Sequence, residues 1–445
     1  MVNYSELIFK LNDRSVKRFI IPLSMRKILS FLLLTIISLT GYANKLLVPM
    51  DESQTNHLKA YGVAYWVLEK DDAIDWMLNY RGGSFLLPAR TTYQNELVIR
   101  GVSFEVISDA EANQLETQIV SPASNMDMMK LEKPPKIAVY SPKSKMPWDD
   151  AVTLALTYAE IPYEVIYDDE MMADQLPEYD WLHLHHEDFT GQYGKFYASF
   201  KNFSWYIKQQ KDYEASARKH GFAKVSELKL AITQKIQAFV AGGGFLFAMC
   251  SATDSFDIAL AGAGLDYIES MYDGDPANPG AESQFDFSQT LAFENFKLRK
   301  DPLEYEFSDI DNTEARRYRG LREDNDYFTL FQFSAKWDPI PTMLTQNHTN
   351  LIKGFFGQTT SFKNRVIKPD VVIMGEAGVA NEAKYIHGVY GKGFWTFYGG
   401  HDPEDYQHRV GEEPTDLNLY PNSPGYRLIL TNILFPAAKK KKRKT

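Results

Sequence analysis

The sequence predicts an α/β protein, an open doubly wound parallel sheet preceded by a smaller α/β domain. Three observations predict it. Strand-length apolar runs alternate with helical stretches along most of the chain, the pattern of a sheet covered by helices. The run Phe245-Leu246-Phe247-Ala248-Met249 is apolar at every position, as a parallel strand buried on both faces requires. Three strands end in chemically capable groups, and open α/β sheets hold their sites at the carboxyl ends of strands.

Taken in order, residues 1–43 read as a leader and signal peptide with Met25 as the expected initiator. Arg26 and Lys27 form a basic start, 28–39 an apolar run of secretory length, and Gly41-Tyr42-Ala43 offers small residues before a cut at Asn44. A retained anchor is the alternative, but the run is short for a spanning helix. The mature chain is therefore expected in the periplasm or at the cell surface, with no stable membrane span after cleavage.

Residues 44–132 read as the small α/β domain. Strands are expected at 45–50, 74–80 and 102–107, with a helix from Asp51 or Ser53 to about Val67 and another near 95–100. Lys133-Pro134-Pro135 marks the boundary, because proline favours extended backbone and cannot join a ladder. In the second domain, 133–438, strands are expected at 137–140, 163–167, 179–183 and 245–249, with helices at 148–160 and 225–240. An irregular insertion covers about 265–345, and late strands fall at 371–374, 387–390 and 394–398 before a closing helix at 426–435. Residues 439–445 form a basic tail.

The chain of 445 residues carries a formal charge of −10, and both its cationic ends flatter that number. Without the leader's net +4 and the tail's six cations, the body stands near −20, which argues against nucleic acid as a partner. Cys250 is the one cysteine, so no internal disulfide forms and the thiol is free.

The glycine-turn strands Phe239-Val240-Ala241-Gly242-Gly243-Gly244-Phe245 and Tyr390-Gly391-Lys392-Gly393-Phe394-Trp395-Thr396-Phe397-Tyr398-Gly399-Gly400-His401-Asp402-Pro403-Glu404 resemble the class I glutamine amidotransferase-like superfamily. Within it, the trehalose-utilisation (ThuA-like) branch is the nearest likeness, and 426–435 is similar to that branch's closing helix. The resemblance covers roughly 135–438 and implies a flavodoxin-like sheet. It places Cys250 at the nucleophile elbow and His401 at the catalytic histidine, with Glu404 or Asp402 as the acid. Ala248 and Ala252 stand where the family prefers glycine, and Glu404 follows His401 by three residues instead of two. The whole chain also resembles exported bacterial proteins that carry the label asparagine synthetase B. The N-terminal cysteine and the Ser-Gly-Gly-x-Asp-Ser loop of that chemistry are missing.

Two readings of the site follow. In one, His401 takes the Cys250 proton, Glu404 or Asp402 orients the imidazole, and a small amide or sugar-derived substrate is hydrolysed. In the other, Cys250 is a core thiol and the cleft binds carbohydrate or a protein partner without catalysis. In His183-Leu184-His185-His186-Glu187-Asp188, strand alternation sends His183 and His185 to one face and His186 to the other. His183, His185, His186 and Glu187, with Ser251 and Gly400, are expected to bind substrate. No cofactor is expected and, without a spacing such as HExxH, no metal. Metal-dependent hydrolysis would require the histidine clusters to converge. The aromatic stretch 189–206 reads as core packing or as a sugar platform, and Asp273-Gly274-Asp275 as a turn or a calcium loop.

Overall fold

The computed structural model describes residues 44–143, 147–377 and 381–438. The expected signal peptide and basic tail lie outside the described residues.

The first sheet comprises β1 (Asn44–Val48), β2 (Ile74–Leu78), β3 (Ser84–Pro88), β4 (Glu105–Ser108) and β5 (Asp127–Leu131), in the order β4-β1-β3-β2-β5. Every neighbouring pair is antiparallel. The sequence shows β1, β2 and β4 but hides β3 and β5. The helix after β1 starts at His57, not near Asp51, because the Asn56 side chain accepts from Lys59 N at 2.9 Å. Asp51 is taken up instead by Arg81 Nε at 2.7 Å.

The second sheet runs β11-β10-β13-β14-β15-β9-β8-β6-β7, with β12 (Phe362–Lys363) paired to β14. Its parallel part is β6 (Ile137–Tyr140), β7 (Glu164–Ile166), β8 (Trp181–Leu184), β9 (Phe245–Met249) and β15 (Gly393–Tyr398). The rest is antiparallel: β10 (Tyr327–Leu330), β11 (Leu351–Lys353), β13 (Val372–Ala377) and β14 (Glu382–Tyr390). The expected all-parallel sheet is thus one half of a mixed sheet. The insertion around 265–345 supplies β10, so it extends the sheet.

One apolar core reaches from Leu46 of β1 to Ala437, so both sheets share it. Helices His57–Leu68, Ala151–Ala159 and Pro424–Leu434 pack on one another and join the sheets. Gly62 permits the first crossing, since a β-carbon there would lie 1.8 Å from the Ala159 carbonyl oxygen. Residues 425–434 of the last helix are all buried. The strand β5 meets the chain's end in a bridge between Leu131 and Ala438, with Glu132 N donating to Ala437 O at 3.0 Å. A second core, on Val225–Gly242 and Ser251–Ala261, takes in Phe189, Tyr193, Phe196 and Tyr206. Most of the aromatic stretch therefore packs inside the fold. Among the described residues, no helix is long and apolar enough to cross a membrane.

Candidate functional site

Four parallel strands deliver the candidate groups from their carboxyl ends. Asp149 and Asp150 follow β6, His185 and His186 follow β8, Cys250 follows β9, and His401 follows β15. Asp150 caps the helix Ala151–Ala159 through Thr153 N at 2.8 Å. Its other oxygen lies 3.0 Å from His183 Nε2 and 3.1 Å from His185 Nδ1. Burial alone would raise Asp150, but the two imidazoles outweigh it and hold the carboxyl well below the usual range.

Cys250 sits at φ 53°, ψ −140°, between β9 and the helix Ser251–Ala261. A non-glycine residue in that region is strained, and such strain persists only where the surroundings enforce it. The enforcement is visible: Ala252 N donates to His185 O at 3.1 Å, and Thr253 Oγ1 to Cys250 O at 2.7 Å. Ala248 and Ala252, on either side of it, are both fully buried. Burial pushes the thiol up to about 12, although the backbone N–H groups of Ser251 and Gln358 donate to the sulfur. Ser251 is buried at the helix start and contributes that N–H.

A cleft of about 390 Å³ opens onto Cys250, His186, His401 and His408, with Trp148, Tyr305 and Phe356 among its walls. The imidazoles are packed ring on ring. His185 and His186 stack with centroids 3.8 Å apart, and His401 and His408 with centroids 4.1 Å apart. His401 also lies 4.7 Å from His185 and 4.5 Å from His186. Burial, then the neighbouring imidazoles, hold His186 and His401 well below the ordinary histidine value, so both are neutral at pH 7. The loop 355–360 covers His401 closely. Gly357 is essential to that approach, because a β-carbon there would meet His401 N at 2.6 Å. Thr359 Oγ1 anchors the loop to Asp254 at 2.8 Å, and Gly400 N donates to Thr359 O at 2.9 Å.

Several sequence expectations need correction. Glu404 and Asp402 do not orient His401, whose two ring nitrogens have no hydrogen-bond partner among the described residues. Asp402 instead accepts from Glu404 N at 2.9 Å, Thr415 Oγ1 at 2.8 Å and Tyr426 Oη at 2.7 Å, which makes it the organiser of a turn. Glu404 is raised by burial and bonded by Ser423. His183 is not a cleft group. It is fully buried between Asp150 and the Phe247 carbonyl, 3.3 Å from its Nδ1. Glu187 turns toward Lys229, 3.8 Å away, and burial raises its carboxyl to about 7. The alternation that separated His185 from His186 fails because β8 ends at Leu184, where the pleat ends too. Asp273 and Asp275 are paired with a cation of the chain itself: Lys224 Nζ sits 2.9 and 2.6 Å from them, and 2.7 Å from Asp266.

Sequence reasoning missed Asp149 as a site residue, and the structure adds His408 to the cleft wall. His408 Nδ1 lies 2.9 Å from Asp405 Oδ2, and its Nε2 lies 3.0 Å from Asp149 Oδ1. The signal for Asp149 was its place after the carboxyl end of β6, the same place that marks His185, Cys250 and His401 on their strands.

No family model matches the chain, and no curated protein matches it. Among solved structures it is similar to two cytoplasmic proteins from Salmonella typhimurium. One is 9% identical with a TM-score of 0.33, the other 13% identical with 0.32, each over 68% of this chain and 100% of the other. A β-galactosidase from Rahnella is 13% identical with a TM-score of 0.23, over 61% of this chain and 29% of its own. Likeness at those scores carries no argument.

Proposed function

We propose that the chain is an exported hydrolase of a small amide or sugar-derived substrate, working in the cleft shared by Cys250 and the imidazoles. The observation that carries this reading is the backbone of Cys250, a strained strand-to-helix turn that presents a thiol to a cleft with three histidines on its wall. The strand order β7-β6-β8-β9-β15 supports it, being the 2-1-3-4-5 order of flavodoxin-like sheets, in which sites lie at the carboxyl ends. In the reaction, the sulfur attacks the substrate carbonyl while an imidazole of the cleft accepts its proton. The N–H groups of Ser251 and Gln358, already directed at the sulfur, then receive the developing oxyanion. The leaving amine takes the proton from the imidazole, and water hydrolyses the thioester. A second reading, a binding cleft without catalysis, draws on the thiol's rise to about 12 and on the lack of an imidazole bonded to it.

The test is iodoacetamide labelling of folded protein across pH, paired with ammonia release from a panel of small amides and glycosyl amides. A thiol held near 12 leaves roughly one molecule in 10⁵ as thiolate at pH 7. Labelling is therefore expected to be slow there, to quicken about tenfold per pH unit, and to fall further when an amide substrate occupies the cleft. Cys250→Ala is expected to abolish ammonia release while leaving the thermal transition in place. Labelling that requires unfolding, or turnover that survives Cys250→Ala, would transfer support to the binding reading.

A further inference from the structure

The histidine cluster does something that thiol chemistry does not explain. An amidase needs one imidazole beside its nucleophile, whereas His185, His186 and His401 converge so that one ligand atom from each lies within 4.8 Å of the others. Their protonation pattern follows from the outer contacts. His186 Nε2 meets the Asp149 carbonyl oxygen at 2.9 Å, which only a donor can do, so its lone pair is on Nδ1. His185 Nδ1 lies 3.1 Å from Asp150 Oδ2, an ion-pair distance without hydrogen-bond alignment. Among the described residues, both nitrogens of His185 and both of His401 are buried without a hydrogen-bond partner, at 2% and 5% residue exposure. Buried polar atoms are normally satisfied, so these clustered imidazole nitrogens call for a partner that the neighbouring side chains do not supply.

We propose that His185, His186 and His401 form a binding site for a divalent transition-metal ion of the zinc type, with its fourth position open to the cleft. Three imidazoles with one open position is the ligand set of catalytic zinc, and imidazole also suits cobalt, copper and nickel. Zinc–nitrogen bonds of about 2.0–2.1 Å set ligand nitrogens about 3.3 Å apart in a tetrahedron, and here they lie within 4.8 Å of one another. The supporting contacts are those of metal-bound histidines. Asp150 lies beside His185, and the Asp149 carbonyl fixes the tautomer of His186. Asp149 and Asp150 also supply negative charge next to the ion. His186 and His401 line the cleft, so the open position faces whatever the cleft admits. The site is independent of the thiol reading. With the ion bound, His401 is a ligand and His408 is the cleft imidazole left to exchange protons.

The experiment loads the purified chain with Co(II), desalts it, and reads bound metal and the visible spectrum. One equivalent per chain is expected, with the strong d–d bands of a four-coordinate nitrogen site and without a thiolate-to-cobalt charge-transfer band. Zn(II) should displace the cobalt and raise the melting temperature. The His186→Ala/His401→Ala variant, checked for folding by circular dichroism, should lose the bound equivalent, whereas His220→Ala, at a distant histidine paired with Asp169, should keep it. Retained nickel or copper without zinc or cobalt affinity would overturn the assignment, as would a wild-type chain that emerges metal-free, a thiolate charge-transfer band, or full stoichiometry in a folded double variant. None of these readouts involves turnover, so the hydrolase reading can fail without touching this one.

Discussion

Arg316→Met is expected to cost about 3–5 kcal/mol of folding stability, the range for removing one partner of a buried ion pair. Arg316 is 2% exposed and pairs with Asp326 and Glu382, whose side chains are 2% and 0% exposed. Methionine replaces the volume but leaves both carboxylates inside. Among the described residues, Glu382 keeps Arg319 Nη2 at 2.9 Å, whereas Asp326 keeps the Tyr406 hydroxyl at 3.2 Å as its side-chain hydrogen bond. The penalty therefore falls mostly on Asp326. Urea denaturation should show a lower midpoint with an unchanged slope. Adding Asp326→Asn should recover part of the loss, because an amide in the same place carries no charge to bury. A single variant within 1 kcal/mol of wild type would show that water reaches these carboxylates. The substitution also bears on the site, since the Arg316 guanidinium lies 5.8 Å from the ring of Phe356 on the cleft wall.

Arg427→Met is expected to cost about 1–3 kcal/mol, because it strands the Gly82 carbonyl, whereas the Met50 carbonyl keeps His57 Nε2 at 3.0 Å. Arg427 is fully buried in the helix Pro424–Leu434. Its Nη1 donates to Met50 O at 2.7 Å, its Nη2 to Gly82 O, and its Nε to Tyr61 Oη at 3.2 Å. The loss should depend on pH. Burial first, with Arg427 adding to it, holds His57 down at about 4; burial and His57, then Arg427, hold His348 at about 3. Both rings stack with centroids 4.2 Å apart. A histidine with a depressed folded value contributes stability above its unfolded value near 6.5, and that contribution is lost as pH falls toward the folded value. Without the guanidinium the depression is smaller, so the variant loses less on acidification. The gap between wild type and variant should narrow between pH 6.5 and pH 4. A gap that is constant or widens there would mean that Arg427 does not act on this pair.

What the sequence disclosed follows from which forces are local. The parallel strands were legible because Ile137–Tyr140 and Phe245–Met249 are short, wholly apolar runs set off by proline or glycine. Their carboxyl ends then located Cys250, His186 and His401 in one cleft. The antiparallel half was less legible: β10 lies inside a polar insertion, and Glu382–Tyr390 hides charged Glu382 and Lys384 among its buried residues. Those charges are tolerated only through long-range partners, Arg316 for Glu382 and the carbonyls of Phe355 and Thr360 for Lys384. Residue order cannot show such pairings. The same limit explains the acid of the expected triad. Spacing placed Asp402 and Glu404 beside His401 in the chain, but the turn spent Asp402 on Tyr426 and Thr415. The carboxylates that do approach the imidazoles, Asp149 and Asp150, come from a loop some 250 residues earlier.

The bridge from Leu131 to Ala438 and the packing of Pro424–Leu434 against His57–Leu68 set the order in which this protein can be finished. A ribosome releases the first sheet long before it makes the helix that covers it. Until the helix Pro424–Leu434 is made, the apolar faces of Leu58, Tyr61 and Tyr65 have no permanent cover. The carboxyl-terminal helix is thus a closing stitch, and removing it should release the amino-terminal half as surely as the half to which it belongs.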